Sequence, residues 1–509
     1  MKTIKYPFIA NLNLDNLVNE KLSLYLDSIV RGSDQVLVTP LGSNYNPDVI
    51  LKEFDLIFNS KTSQSLMSNE LLDIEMSNRS KYGPRSIQKP WVERKESLLK
   101  YFDKEVIGPD LITNPPDSKM MFKLRPVSYN EAVRLLKNST SSSLPFYTRK
   151  GDLKEAYIVH KSDLKYQVLF PCILFTRTQE GGKTRDVWGY CMSATIKEMM
   201  FYRPLLEYQR KLSWRSALVG PVDVDRRVTE LVNSCILRDA ALLSIDFSQY
   251  DATVKKKLQF EAFDYIKKLF QVKYHSEIDV IRDFFNNCGI ITPDGVMTGS
   301  HGVPSGSTFT NEVDSIVQFL ISTNTKHIFK ENMQIQGDDG VYGLNKDNVD
   351  VIFNSFTKQG LKISDLGKSG KTKVEDRFCI YLQKFYSPDY RGENGIIGGI
   401  YSVYRALGRL VYQERWTDFE DFGILGRDYY SIRSICILEN CKHHPLFSDL
   451  VRFVVSLDKY KLEYSQDGLE KYVSMLTETS GTEGILKNQY GDDIRSISNF
   501  ETVKVIKGL

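Results

Sequence analysis

The sequence contains no apolar run long enough to cross a bilayer, and its start, MKTIKYPFIANLNL, has no secretory core. A membrane-embedded or exported protein is therefore not expected. A disulfide framework is missing as well. The seven cysteines (Cys172, Cys191, Cys235, Cys288, Cys379, Cys436, Cys441) are odd in number and scattered, which fits reduced thiols in an intracellular setting. Nor is there an excess of charge of one sign: 67 basic residues face 64 acidic ones, for a net charge of +3. No general polyanion-binding surface is advertised, so a nucleic-acid partner would need basic residues gathered in a groove. Internal repeats and low-complexity linkers are absent. At 509 residues the chain can bury a large core, with room for about three domain-sized units.

Most informative is MQIQGDDGVYG (333–343). Met333 and Ile335 alternate with Gln334 and Gln336, as in a strand with one buried face, and Val341-Tyr342 reads as the return strand. Gly337 and Gly340 permit a tight turn that crowds Asp338 and Asp339 into one small volume. Adjacent carboxylates repel unless cations lie between them, and hard divalent ions suit oxygen ligands. An exposed acidic turn explains the same residues.

Upstream, Ala241–Ile245 is a short apolar run, the mark of a central strand, and it ends at Asp246. Val254, Leu258, Ala262, Tyr265, Ile266 and Leu269 then recur at helical spacing, which puts Asp251 near the helix start, where Asp also serves as an N-cap. The loop GVPSGST (302–308) feeds a helix with Val313, Ile316, Val317, Leu320 and Ile321 on one face, and Thr310 and Asp314 on another. After the acidic hairpin, Val349 to Phe356 reads as a helix stopped by Gly360, then Leu361–Ile363 as a strand. The succession matches a split β-α-β-β-α-β unit in which Asp246, Asp338 and Asp339 converge. Three carboxylates so placed can hold two magnesium ions for phosphoryl transfer.

Three basic features are weaker. FTRTQEGGKTRDVW (175–188) reads as a hairpin with Arg177, Lys183 and Arg185 on its arms, suited either to a triphosphate or to plain solvation. Arg85, Lys89, Trp91, Arg94 and Lys95 read as a solvated surface. Lys368, Lys371 and Lys373 share one loop. Cys436, Cys441, His443 and His444 match no common zinc spacing.

DFSQYDATV (246–254), SGSTFTNEVDS (305–315), QGDDG (336–340), the lysine of GLKISDLGK (360–368), YLQKFY (381–386), GGKTRDVW (181–188) and the Ser-Leu-Pro turn near 143 occur in an order that resembles viral RNA-dependent RNA polymerases, most like those of picobirnaviruses and partitiviruses. The resemblance implies an α+β right-hand polymerase with fingers, palm and thumb, a split β-α-β-β-α-β palm and a closed fingers–thumb channel. The expected layout is an N-terminal region and fingers over 1–189, palm over 190–268 and 302–386, a fingers insertion over 269–301, and thumb with a C-terminal tail over 387–509.

By the same resemblance Asp246 and Asp338 would bind the metals with Asp339 supporting them, two Mg2+ being expected and Mn2+ able to substitute. Lys368 would be the general acid. Asp251 would test the ribose, with Thr310 and Asp314 beside it. Lys183, Arg185 and Arg177 would hold the triphosphate. Ser305 would face the nucleotide, and Gly306, Ser143, Pro145, Gln383 and Lys384 the template or product RNA. Asp314 departs from the pattern, because many relatives carry Asn there; it is expected to accept from the ribose hydroxyl or to share a proton with Asp251. Implied partners are template and product RNA, nucleoside triphosphates and a viral capsid protein. The expected state is a monomer in the virion interior or host cytoplasm. A reverse transcriptase is the first alternative, opposed by Asp251 and Gly337. A catalytically silent RNA-binding capsid component is the second, opposed by the intact acids with Lys183 and Arg185.

Overall fold

A computed structural model describes residues 5–62, 66–325, 328–364, 371–480 and 493–509. Two compact units emerge, each built from separated pieces of chain. The first holds Met1–Arg31, Pro90–Thr176 and Asp186–Leu382; the second holds Gly32–Lys89, Arg177–Arg185 and Gln383–Leu509.

The first unit is organised on a four-stranded antiparallel sheet. Strand β3 (Ala241–Ile245) is buried along its whole length, as its unbroken apolar run requires, and lies between β7 (Asp339–Leu344) and β8 (Lys373–Glu375), with β6 (Ile328–Gln336) outside β7. The order β6-β7-β3-β8 makes the first strand and the acidic hairpin neighbours. Helices α3 (Lys256–Leu269), α5 (Thr310–Asn324) and α6 (Val349–Lys358) supply side chains to its core. The stripe expected on α3 is buried throughout, Ala262, Tyr265, Ile266 and Leu269 completely. Helix α5 buries its polar residues too: Glu312, Asp314, Ser315 and Gln318 are as enclosed as its apolar stripe. Buried polar side chains need partners, so this helix has a task beyond packing.

One expected strand is displaced. Leu361–Ile363 forms no ladder; Ile363 makes a single bridge to Phe247, and the edge strand is β8, ten residues later. The short segment still follows the exit of β3, since Ser248 N–H donates to the Lys362 carbonyl (2.7 Å) and Ser364 N–H to the Asp246 carbonyl (2.8 Å).

A second sheet has the order β2-β1-β4-β5, from β1 (Cys172–Gln179), β2 (Lys183–Gly189), β4 (Ile290–Thr292) and β5 (Gly295–Met297). The bases of β1 and β2 belong to the first unit and their tip, 177–185, to the second. Helix α1 (Trp91–Leu99) precedes this ribbon, α2 (Met192–Gln209) follows it, and α4 (His275–Asn287) precedes β4. Of the expected solvated patch, Lys89 and Lys95 are open to solvent, but Arg85, Trp91 and Arg94 are buried. Arg94 pairs with Asp186 and donates to Thr176 Oγ1 (2.7 Å), fastening the ribbon base. Two charges removed from water hold only when paired in this way.

In the second unit, β10 (Lys384–Tyr386) pairs antiparallel with β11 (Ile400–Tyr401), and helix α7 (Val403–Val411) follows. Fully buried Glu75 caps α7, accepting from Ser402 Oγ (2.8 Å) and Val403 N–H (3.2 Å), a carboxylate at the positive end of a helix. Glu180 at the ribbon tip pairs with Arg85 (2.5 Å) and with Arg405 of α7 (2.7 Å). All seven cysteines are buried and free of disulfides. Among the described residues no helix is long and apolar enough to cross a membrane.

Candidate active site

The acidic hairpin closes in two residues. Gln336 pairs with Asp339, and Gly337 takes φ +64°, a conformation a side chain resists. Helix α5 holds this turn on both sides of Gly337. Its Ser315 Oγ accepts from Gly337 N–H (2.8 Å), and Gln318 Nε2 donates to the Gly337 carbonyl (2.8 Å). Gln318 is itself oriented by Tyr342 OH, which donates to Oε1 at 2.6 Å. Gly340 leaves room for that amide, as a Cβ there would meet Gln318 Oε1 at 2.5 Å. Asp338 is thus presented exposed at the tip, with Asp339 half-buried behind it.

Register brings Asp246 to the same place. Ile245 pairs with Gly340, so the next residue, Asp246, leaves β3 beside Asp339. Its backbone N and O each lie 3.2 Å from Thr372 Oγ1. Its Oδ2 accepts from Ser364 Oγ (2.5 Å) and lies 3.6 Å from Lys371 Nζ.

Asp251, on the one-turn helix Tyr250–Thr253, meets Asp314 of α5. Burial, then the charges of Asp251 and Asp338, and finally a hydrogen bond with Asp251 drive the Asp314 carboxyl well above the usual range. A hydrogen bond between two carboxyls runs through a proton, and burial (3% exposed) with the neighbouring negative charges favours the neutral form of Asp314. Its Oδ1 has no hydrogen-bond partner.

All these side-chain ligands are hard oxygens, and the charges of Asp251 and Asp338 both act on the Asp314 carboxyl, so the acids stand close together. That chemistry fits a hard divalent ion, which Asp246, Asp338 and Asp339 could hold between the two strands. Among the described residues no three His, Cys, Asp or Glu side chains already enclose an ion-sized space. Ser364 and Lys371 hold the Asp246 carboxylate instead.

The loop before α5 lies against these acids. Val303 N–H donates to the Asp251 carbonyl (2.7 Å), and a Cβ on Gly302 would overlap that oxygen. Ser305 Oγ bridges the Asp186 carbonyl (3.2 Å) and Trp188 N–H (3.3 Å) of β2. Thr310 Oγ1 donates back to the Pro304 (2.7 Å) and Ser307 (3.0 Å) carbonyls, so it closes the loop onto the helix. Gly306 is packed so tightly that a methyl group would run into the Trp188 carbonyl oxygen. Gly306→Ala is accordingly expected to cost about 3 kcal/mol or to push the loop off β2; a thermal melt with nucleotide-binding measurements checks this, and a melt and affinity matching the parent would refute it.

The remaining expected residues are spread more widely. Arg177, Lys183 and Arg185 are exposed on the ribbon tip in the second unit. Arg177 lies 3.8 Å from Glu414, whereas Lys183 and Arg185 have no acidic partner among the described residues. Gln383 is exposed at a tight turn, φ +63°, and Lys384 opens β10. Ser143 and Pro145 are buried, with Ser143 Oγ unpartnered. Lys368 lies outside the described residues.

Five contributors were not singled out from sequence. Ser315 and Gln318 lie on the expected helix, but nothing in their spacing says that they hold a turn some twenty residues away. Glu198 of α2 accepts from Ser307 Oγ and Thr308 N–H, both at 2.7 Å, and carries no sequence signal. A buried pair between Arg215 and Glu312 (2.6 Å), with Arg215 also donating to Asn311 Oδ1 (3.1 Å), is equally illegible in one dimension.

Comparison with known proteins agrees with this geometry. Residues 43–394 match the family model described as viral RNA-dependent RNA polymerase. A potential RNA-dependent RNA polymerase of human picobirnavirus (strain Human/Thailand/Hy005102/-) is 28% identical over 550 aligned positions, covering 97% of both chains. An RNA-directed RNA polymerase of Cryptosporidium parvum virus 1 (strain KSU-1) is 28% identical over 215 positions, 39% of this chain and 40% of that one. The crystal structure of a human picobirnavirus RNA-dependent RNA polymerase superposes with a TM-score of 0.80 at 24% identity, covering 99% of this chain and 98% of that one. Its insertion-loop deletion mutant gives a TM-score of 0.77 at 25% identity, covering 97% of each chain.

Proposed function

The chain belongs to the viral RNA-dependent RNA polymerases, and from that premise we propose how its acid cluster carries out the family's reaction. It is an RNA-directed RNA polymerase with the right-hand polymerase fold, and hence a nucleotidyltransferase that takes RNA and nucleoside triphosphates. Its relatives and structural neighbours are RNA polymerases, not reverse transcriptases. The reaction joins the 3′ hydroxyl of a growing RNA to the α-phosphorus of a triphosphate chosen by the template, with pyrophosphate leaving. The family uses divalent metal. The observation that carries the assignment of roles is the register placing Asp246 of one strand beside the Asp338-Asp339 turn of the next.

In this reading Asp246 and Asp338 hold two Mg2+ ions, for which Mn2+ substitutes, and Asp339 supports them. Such ions supply charge neutralisation at the attacking and leaving oxygens. Asp251, with the protonated Asp314 donating to it, accepts from the ribose 2′ hydroxyl and so favours ribonucleotides. Lys183 and Arg185, exposed and unneutralised, take the triphosphate, with Arg177 assisting. Ser305 and Gly306 back the new base pair; Gln383 and Lys384 track template and product, whereas Ser143 and Pro145, expected to touch RNA, are buried and can only support the turn from behind. Lys368 protonates the departing pyrophosphate. Residues 1–189 and 269–301 act as N-terminal region and fingers, 190–268 and 302–386 as palm, and 387–509 as thumb and tail. The protein works as a monomer with a viral capsid protein, in the virion interior or host cytoplasm.

The test supplies purified protein with single-stranded RNA, magnesium or manganese and labelled ribonucleotides. Template-dependent incorporation that stops on chelation is expected. No incorporation with either metal would defeat the reading. Charge reversal at Arg185 is expected to raise KM for nucleotides by roughly tenfold while sparing RNA affinity, because a triphosphate loses a charge-assisted contact there. Equal loss of RNA binding would place Arg185 on the template instead.

A further inference from the structure

The loop that carries Ser305 and Gly306 is fastened on two sides. Strand β2 takes one side, through Ser305 Oγ and the close approach of Gly306. On the other stands Glu198 of α2, 2% exposed, accepting from Ser307 Oγ and Thr308 N–H at 2.7 Å each. Ser307 Oγ in turn accepts from Phe309 N–H (3.0 Å), so the hydrogen bonds run from Glu198 to the start of α5. That helix carries Asp314 against Asp251, and Ser315 and Gln318 against the Asp338 turn.

Building on the polymerase reading, we propose that Glu198 is a positioning residue of the nucleotide site: ionised, it locks the loop Ser305–Thr308 and the start of α5 in the nucleotide-accepting arrangement, and protonated it loosens them. An ionised carboxylate offers only acceptors, matching the two donors it faces. The positive end of α5 favours that form as well. Protonation turns one oxygen into a donor: toward Thr308 N–H it meets another donor, and toward Ser307 it forces the hydroxyl to turn its own proton away, so either way one of the two present bonds is lost. Burial opposes ionisation, the hydrogen bonds from Ser307 and Thr308 favour it, and the balance leaves the Glu198 carboxyl pushed up to about 7.

Its titratable surroundings come from several elements. Lys150, on the turn Lys150–Leu153, is lowered by burial to about 8, with the charge of Glu198 acting the other way. Cys288, just after α4, is opposed by burial yet brought down to about 6 by hydrogen bonds with Cys172 and His301, and its charge raises Glu198. Tyr190, Cys191 and Cys172 feel the Glu198 charge and are raised chiefly by burial. The sign for stability is opposite to the sign for function. The folded chain holds this proton more tightly than the unfolded one, so Glu198's contribution to stability falls as pH rises from the ordinary glutamate value of 4.5 through about 7, while the lock tightens.

The experiment compares the parent, Glu198→Gln and Ser307→Ala between about pH 5.5 and 8.5. Loss of one charge-assisted hydrogen bond is expected to raise the parent's KM for nucleotides roughly tenfold on the acid side, with a smaller change in kcat. Glu198→Gln, which has no proton to lose, should stay at the acid-side KM across the range. Ser307→Ala keeps both the acid and Thr308 N–H, and should keep the inflection. Amide exchange of residues 305–310 without nucleotide, expressed as protection factors, gives a readout free of polymerisation. A step near neutrality is expected in the parent and none in Glu198→Gln. An inflection that persists in Glu198→Gln, or parent protection flat with pH, would overturn the proposal. A parent that shows the protection step but incorporates no nucleotide would instead count against the polymerase reading and leave the lock standing.

Discussion

Asp338→Asn is expected to lower nucleotide incorporation by about 10³-fold or more, equivalent to about 4 kcal/mol of lost transition-state stabilisation. The amide keeps the size of the side chain but removes the anionic ligand. The turn should survive, because its hold comes from Gly337 bonded to Ser315 and Gln318, and Asp338 is exposed at the tip. RNA affinity and its salt dependence should stay within about twofold of the parent, since phosphate contacts rest on basic residues. Asp339→Asn, half-buried behind the tip, should cost about 10- to 100-fold, as supporting groups around a metal commonly do. Single-turnover rates together with RNA-binding isotherms decide this. Incorporation that survives Asp338→Asn would remove Asp338 from the metal site; equal losses at both positions would make Asp339 a ligand of the same rank.

The second large effect lies at Asp314. In the proposed arrangement the raised Asp314 carboxyl donates a hydrogen bond to Asp251 from inside the core, as an amide in its place would. Asp314→Asn should therefore keep discrimination between ribo- and deoxyribonucleotides within about threefold of the parent, whereas Asp314→Ala, which leaves Asp251 without that donor, should lose about 10- to 100-fold. Unchanged discrimination in both variants would sink the role. Stability supplies an independent check with a definite sign. Because the folded Asp314 carboxyl is raised above its unfolded value, its contribution is full at low pH and is lost as pH rises. Asp314→Asn removes that loss, so its melting temperature relative to the parent should climb with pH. A constant difference across the range would mean that Asp314 is ionised in the fold.

Much of this was legible in one dimension because it depends on local spacing. The apolar run Ala241–Ile245 could only be a central strand, the period of Leu258, Ala262, Tyr265 and Leu269 could only bury one helical face, and Gly337 marked a two-residue turn; the structure has all three. Leu361–Ile363 misled because three residues carry too little pattern to choose between a ladder and a bridge, and neighbouring β3 settled on Lys373–Glu375. Arg85 and Arg94 misled for another reason: a basic residue looks solvated until its acid is known, and Glu180 and Asp186 lie more than ninety residues on.

The sequence by itself determined the order of elements, the end of a central strand at Asp246, and the turn chemistry that presents Asp338 with Asp339 behind it. Those follow from periodicity and from backbone preferences within a few residues. Tertiary structure decided the rest: that Ser315 and Gln318 hold the turn, that Asp314 is buried against Asp251, and that Glu198 reaches the loop 109 residues away. A proton's residence and a hydrogen-bond partner depend on burial and on which distant strand or helix arrives alongside, and spacing along the chain encodes neither.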